Sequence, residues 1–198
     1  MRWLKSLWQL LRQPSSKYPL GILVAVGGVA GILFIGTLQF GLATTNSLEF
    51  CVSCHSMQFP YEEYKDSPHY RNPSGVRATC ADCHVPHDKD LTGWIDKMIA
   101  KVMAAKDVYH EILGTASTKE KFEAHRWTMA NRVWDKMRER GSKECLHCHN
   151  FEFMDFGEQD RMASKRHKRA VENGKHCIDC HKGIAHEEPE EPEEEEKS

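Results

Sequence analysis

Cys177-Ile-Asp-Cys180-His181-Lys-Gly-Ile-Ala-His186, CIDCHKGIAH, sets two cysteines three positions apart, a histidine directly after them and another five residues on. Either one metal ion collects several of these side chains, or something larger is attached here. The rest of the chain decides between the two by repeating the pattern. Cys51-Val-Ser-Cys54-His55, Cys80-Ala-Asp-Cys83-His84 and Cys145-Leu-His-Cys148-His149 share its spacing, and the four copies use all eight cysteines.

Cys-x-x-Cys-His is the signature of covalent haem c attachment. The spacing follows from the chemistry: two thiols add across the two vinyl groups of one porphyrin, so they must lie about one turn apart. The adjoining histidine then meets the iron as its proximal ligand. Disulfides within Cys-x-x-Cys are strained redox pairs, and four structural ones are a poor reading. Zinc knuckles pair at about 15–20 residues and need no histidine after each second cysteine. Thioredoxin-like motifs do not come in fours. The sequence therefore predicts four covalent haems on Cys51, Cys54, Cys80, Cys83, Cys145, Cys148, Cys177 and Cys180, with His55, His84, His149 and His181 proximal.

Apolar residues outside the N-terminus are too few for a large ordinary core, and haem supplies the missing apolar volume. The expected fold is mainly α with much loop: one N-terminal transmembrane helix plus a small multihaem domain of two dihaem halves. No charged residue occurs from Tyr18 to Leu48, and LGILVAVGGVAGILFIGTL, Leu20 to Leu38, is nearly all apolar. About 20 such residues span a bilayer. A cleaved signal has an apolar region of only about 7–15 residues, so residues 19–43 read as a retained anchor. Arg2, Lys5, Arg12 and Lys17 precede it, which places residues 1–18 in the cytoplasm and residues 44–186 in the bacterial periplasm, where c-type haems are attached. The anchor's glycines leave a small-residue face suited to a partner helix, and a homodimer is compatible with it. Residues 187–198 hold eight glutamates and one lysine, too charged and too apolar-poor to fold. With the chain at a formal −2, the tail's −7 leaves +5 for the remainder, a use for which is the haem propionates. No feature calls for nucleic acid.

The domain reads as a duplication, with halves at about 48–91 and 141–186 and a helical linker at about 92–140. The first half offers His55, His69, His84 and His87; the second offers His149, His167, His181 and His186. In the linker, Trp94, Met98, Val102, Tyr109 and Ile112 recur near helical spacing, as do Phe122, Met129, Val133 and Met137 after a cap at Thr118. Such stripes are read as core, here against porphyrin edges.

CVSCHSM, SPHYRNPSGVRATCADCHVPH, KFEAHRWTMA, ECLHCHNFEFMD and CIDCHKGIAH, behind one membrane helix, resemble the NapC/NirT family of tetrahaem cytochromes c over about residues 15–186. The resemblance implies oxidation of membrane menaquinol or ubiquinol and delivery of electrons to a periplasmic reductase, nitrate reductase foremost, with nitrite and trimethylamine oxide reductases as alternatives. The rival is an electron carrier with no quinol site of its own. His69, His87, His167 and His186 match the family's distal ligands. The duplication suggests that ligands are exchanged between halves, although no individual pairing is legible. His147 and His176 are read as facing solvent or a propionate, and His110 and His125 as structural. Met57 follows His55 by two residues, and in relatives with this pattern methionine can replace the histidine at iron; both stay open. Lys101 and Asp107 match the family's lysine and aspartate at the quinol. On a helix they lie about 9 Å apart along the axis and about 120° apart in direction, so they border one pocket without pairing.

Overall fold

The structure, a computed structural model, describes residues 3–6, 17–86 and 90–192. It is helical, with no strand among the described residues. The chain divides into two compact units, one ending at Thr45 and one beginning at Asn46.

The first unit is built on α1, Leu20–Thr44. Pro19 precedes it with φ −57°, which suits a helix start because proline has no N–H to satisfy. At the far end Thr45 Oγ1 donates to Gly41 O at 2.8 Å. Its 25 residues at about 1.5 Å each reach about 37 Å, more than the roughly 30 Å of a hydrocarbon core. None of Gly21–Thr44 is buried against protein. It is the one described helix long and apolar enough to cross a membrane.

The second unit strings short helices between the motifs. α2 (Leu48–Cys51) is capped by Ser47, whose Oγ accepts from Phe50 N. A 3₁₀ turn, His55–Met57, leads into α3 (Gln58–Lys65), and α4 (Cys80–His84) is a single turn. The linker forms α5 (Leu91–Ile112) and α6 (Lys119–Glu139). Asp90 caps the first through Gly93 N and Thr118 the second through Lys121 N. Gly114 between them has φ +68°, a left-handed position that glycine adopts without strain. After α6 come α7 (Lys143–Leu146), a 3₁₀ turn at Phe151–Phe153, α8 (Arg161–Glu172) and a last 3₁₀ turn, Cys177–Asp179.

The buried apolar side chains described are Tyr64, Ala81, Phe122, Trp134 and Ile178. A unit of this size normally buries far more, so the scarcity of core read in the sequence is present in the fold. The two linker stripes behave differently. On α6, Phe122 is buried and Met129, Val133 and Met137 are half-buried. On α5 no protein side chain covers most of the stripe: Val102 is 73 % and Ile112 79 % accessible, and Met98 is half-buried. The reason is that α5 turns its other side inward, burying Gly93 and engaging Asp96 and Glu111. The acidic tail also departs from expectation at its first residue. Glu187 N donates to Glu63 Oε2 at 2.9 Å, and its carbonyl accepts from Arg126 at 3.3 Å.

Candidate functional site

Each Cys-x-x-Cys-His segment is held by polar clamps, some within its own turn and some reaching it from elsewhere in the unit. In the first, Ser56 is buried; its N–H and Oγ both donate to Glu111 of α5, at 3.3 and 2.5 Å. In the second, Asp82 Oδ2 accepts from Thr79 N and Oγ1 at 2.6 and 2.7 Å, a capping box that starts α4. The fourth repeats this device with the aspartate of the same register: Asp179 accepts from His176 N at 3.0 Å and pairs with Arg138 at 2.8 Å. Ser142, fully buried at φ +53°, opens the third motif, and its Oγ accepts from Ile178 N of the fourth.

The motifs neighbour one another in chain order. The Cys51 and Cys80 thiols are hydrogen-bonded, and so are those of Cys145 and Cys177. The bond from Cys80 brings Cys51 down to about 6 against the effect of burial, with Lys101 assisting. Cys83 and Cys148 lie within electrostatic reach, which links the second motif to the third. No disulfide joins any of the eight, and no three His, Cys, Asp or Glu among the described residues converge as zinc ligands do.

Distal candidates face proximal ones. The rings of His69 and His149 are 6.3 Å apart, those of His84 and His186 6.3 Å, and those of His167 and His181 5.9 Å. An imidazole nitrogen binds a first-row metal at about 2 Å, so two imidazoles on opposite sides of one ion have centres about 6 Å apart. The residues present therefore fit haem iron between each pair. His69 and His186 lie opposite histidines on the far side of the linker in sequence, whereas His167 and His181 both follow it. His87 lies outside the described residues. His55 packs edge-on against Phe59, with ring centres 5.9 Å apart, and Met57 is 38 % accessible.

All three distal rings have Nδ1 turned to an oxygen, which leaves Nε2 as the metal-binding nitrogen. His186 Nδ1–H donates to Pro60 O at 3.0 Å, His167 to Gln159 Oε1 at 2.7 Å and His69 to Ile184 O at 3.4 Å. Beside His186, Arg126 forks onto Glu63 and Glu123 while Glu63 also accepts the Glu187 N–H. Burial pushes the Glu63 carboxyl up, but Arg126 and that N–H outweigh it and leave it below the usual carboxylate range.

The other histidines make local bonds or lie at the surface. His125 Nδ1–H donates to Lys121 O at 2.8 Å, His110 approaches Thr115 Oγ1 at 3.3 Å, His147 is exposed and His176 belongs to the fourth motif's cap. Lys101 is half-buried on α5; burial lowers its ammonium, and the Cys51 thiol partly opposes that. Asp107 is exposed on the same helix. The sequence reading missed Glu111, Glu63 and Arg126. Glu111 stands four residues after Asp107, a helical neighbour, but nothing local ties it to Ser56, 55 positions away. Arg126 had a weak signal, since it adjoins His125 in the family-like EAHRW.

The family described as "NapC/NirT cytochrome c family, N-terminal region" matches residues 13–191. A tetraheme cytochrome-c type protein of Allochromatium vinosum is 56 % identical over 164 residues, 83 % of this chain and 86 % of its own. Cytochrome c-type protein NapC of Escherichia coli is 50 % identical over 187 residues, 94 % of this chain and 90 % of its own. The denitrification system component NirT of Stutzerimonas stutzeri is 50 % identical over 182 residues, 91 % and 88 % of the two chains. No solved structure matches the chain.

Proposed function

Because the chain belongs to the NapC/NirT cytochrome c family, we propose that it is a quinol dehydrogenase. In this reading it is a single-pass inner-membrane protein with a cytoplasmic N-terminus and four periplasmic haems c. It takes electrons from menaquinol or ubiquinol and hands them to a periplasmic reductase. The resemblance to NapC favours nitrate reductase as the acceptor. The observation that carries the haem reading is the set of three facing histidine pairs, each with one ring fixed through Nδ1.

The cysteines of each motif would hold one porphyrin. His84 with His186, His149 with His69 and His181 with His167 would hold three of the irons; His55 or Met57, with His87 available, would serve the first. Bound there, haem c supplies one-electron transfer. The chain's own residues do the rest. Glu111 fixes Ser56 and with it the backbone between His55 and Met57. Lys101, within electrostatic reach of Cys51, donates a hydrogen bond to a quinol oxygen and favours its anionic form. Asp107, open to solvent, accepts a proton as the quinol is oxidised and releases it to water. The succession of motifs, first to fourth, gives electrons a route away from the quinol.

Asp107→Asn keeps the side chain's shape but removes the base, which should slow quinol-driven haem reduction by roughly 10²–10⁴-fold, with haem content and dithionite reduction unchanged. Oxidation at the wild-type rate would place the proton acceptor elsewhere.

A further inference from the structure

The three described distal histidines each have Nδ1 turned to an oxygen, and those oxygens are not alike. His186 meets the backbone carbonyl of Pro60 at 3.0 Å and His69 that of Ile184 at 3.4 Å. His167 meets a side chain, Gln159 Oε1, at 2.7 Å, the shortest of the three. The local sequence fixes that side chain. Asp155 Oδ1 accepts from Gly157 N at 2.8 Å and turns the chain, and Asp160 Oδ1 accepts from Met162 N at 2.8 Å and starts α8. Gln159 lies between these two turns, directly before the cap and two helical turns ahead of His167. Phe156 lies against the same imidazole with ring centres 6.4 Å apart, so the ring is held from two directions. A glutamine side chain accepts through its oxygen and donates through its nitrogen. With Nε2 toward iron, Nδ1 carries the proton, and Oε1 receives it as a hydrogen bond.

We propose that Gln159 is a positioning residue that sets the reduction potential of the iron served by His167 and His181. This role rests on the haem reading above, not on the quinol. An acceptor on Nδ1–H makes the imidazole more basic at Nε2. A more basic ligand favours ferric over ferrous iron, because the higher charge gains more from it, and the potential falls. The cations of α8, Arg161, Lys165, Arg166, Lys168 and Arg169, act in the opposite sense by disfavouring the more positive ferric state. Gln159 therefore offsets part of the charge of the helix that carries the ligand. The acceptors of His69 and His186 are backbone carbonyls, so among the described pairs only this one is tuned by a replaceable side chain.

The test is a potentiometric titration of the haem-loaded full chain with redox mediators and dithionite, followed by haem absorbance and electron paramagnetic resonance, without quinol. His167→Ala identifies the haem by the low-spin signal it removes. Gln159→Met keeps the length and removes the acceptor; the same signal should persist with its potential raised. Losing the outer partner of a ligating histidine costs about 10–100-fold in metal affinity, and a tenfold loss confined to the ferric state raises a one-electron potential by about 59 mV. Gln159→Glu supplies a stronger acceptor and should lower that potential, with the other three haems unmoved. Glu158→Gln changes an exposed charge at the adjoining position and should have a far smaller effect. Shifts of the same sign in both Gln159 variants, a shift spread over all four haems, or an effect of Glu158→Gln as large as that of Gln159→Glu would overturn the proposal. A His167→Ala protein with every haem signal unchanged would remove the histidine pairing and the proposal with it. The expected shifts in a protein that no quinol reduces would leave the role of Gln159 standing and remove the quinol reading.

Discussion

Replacing Arg126 by methionine isolates the clamp beside His186. Arg126 and Glu63 side chains are only 10 % and 16 % accessible, whereas Glu123 is 42 % accessible. The exposed arm to Glu123 is therefore worth little, within the 0–1 kcal/mol typical of surface pairs. The arm to Glu63 is different, because removing Arg126 leaves a buried carboxylate without its cation. Loss of one partner of a buried pair costs about 3–5 kcal/mol, a large part of a small domain's stability. Glu63 also anchors the Glu187 N–H, next to His186, so the ring facing His84 should loosen with it. Arg126→Met combined with Glu63→Gln removes both charges while keeping an acceptor for that N–H, and should regain at least half the loss. Guanidinium unfolding of the haem-loaded chain, followed by circular dichroism, measures the energy. Electron paramagnetic resonance counts the low-spin haems and should show one altered. An Arg126→Met protein with wild-type unfolding midpoint and four unchanged haem signals would refute this reasoning.

The same clamp sets a pH dependence. A carboxyl held below its usual value contributes stability above the unfolded pKa of about 4.3, lost as pH falls through the folded value. Acid titration followed by the haem absorbance should therefore show Arg126→Met failing at higher pH than wild type. Glu111→Ala and Ser56→Ala should each shift the potential or spin state of the first haem alone, and the double variant should do no more than either; additive effects in a potentiometric titration would separate the two residues. His69→Ala should open the third motif's iron and His186→Ala the second's. Paramagnetic resonance showing the reverse assignment would break the ring pairings.

Much of this was legible in the sequence because haem attachment is a local problem. Two thiols and a histidine must fall within one turn, and four repeats of CxxCH state that directly. The anchor is legible for a similar reason: a bilayer asks only for length and absence of charge. The distal partners are not local. His69 faces His149 and His84 faces His186 across most of the unit, and no spacing rule encodes such distances. The α5 stripe shows the other limit of pattern reading. Periodicity identifies an apolar face, but not whether protein, porphyrin or lipid covers it; the burial of Gly93 and the bonds of Asp96 and Glu111 show which side turns inward. Glu111 gave no signal and Arg126 only a weak one, because their partners are 55 and 63 positions away.

The central claim is that quinol is oxidised on this chain. The most direct measurement mixes the oxidised, haem-loaded full chain in lipid vesicles with menaquinol and records haem absorbance against quinol consumed, without any reductase present. Quinol gives two electrons and each haem takes one, so two haems should be reduced per quinol consumed, with the rate abolished or sharply slowed in Asp107→Asn. Haems that dithionite reduces but quinol leaves oxidised would contradict the account and mark the chain as a carrier between proteins.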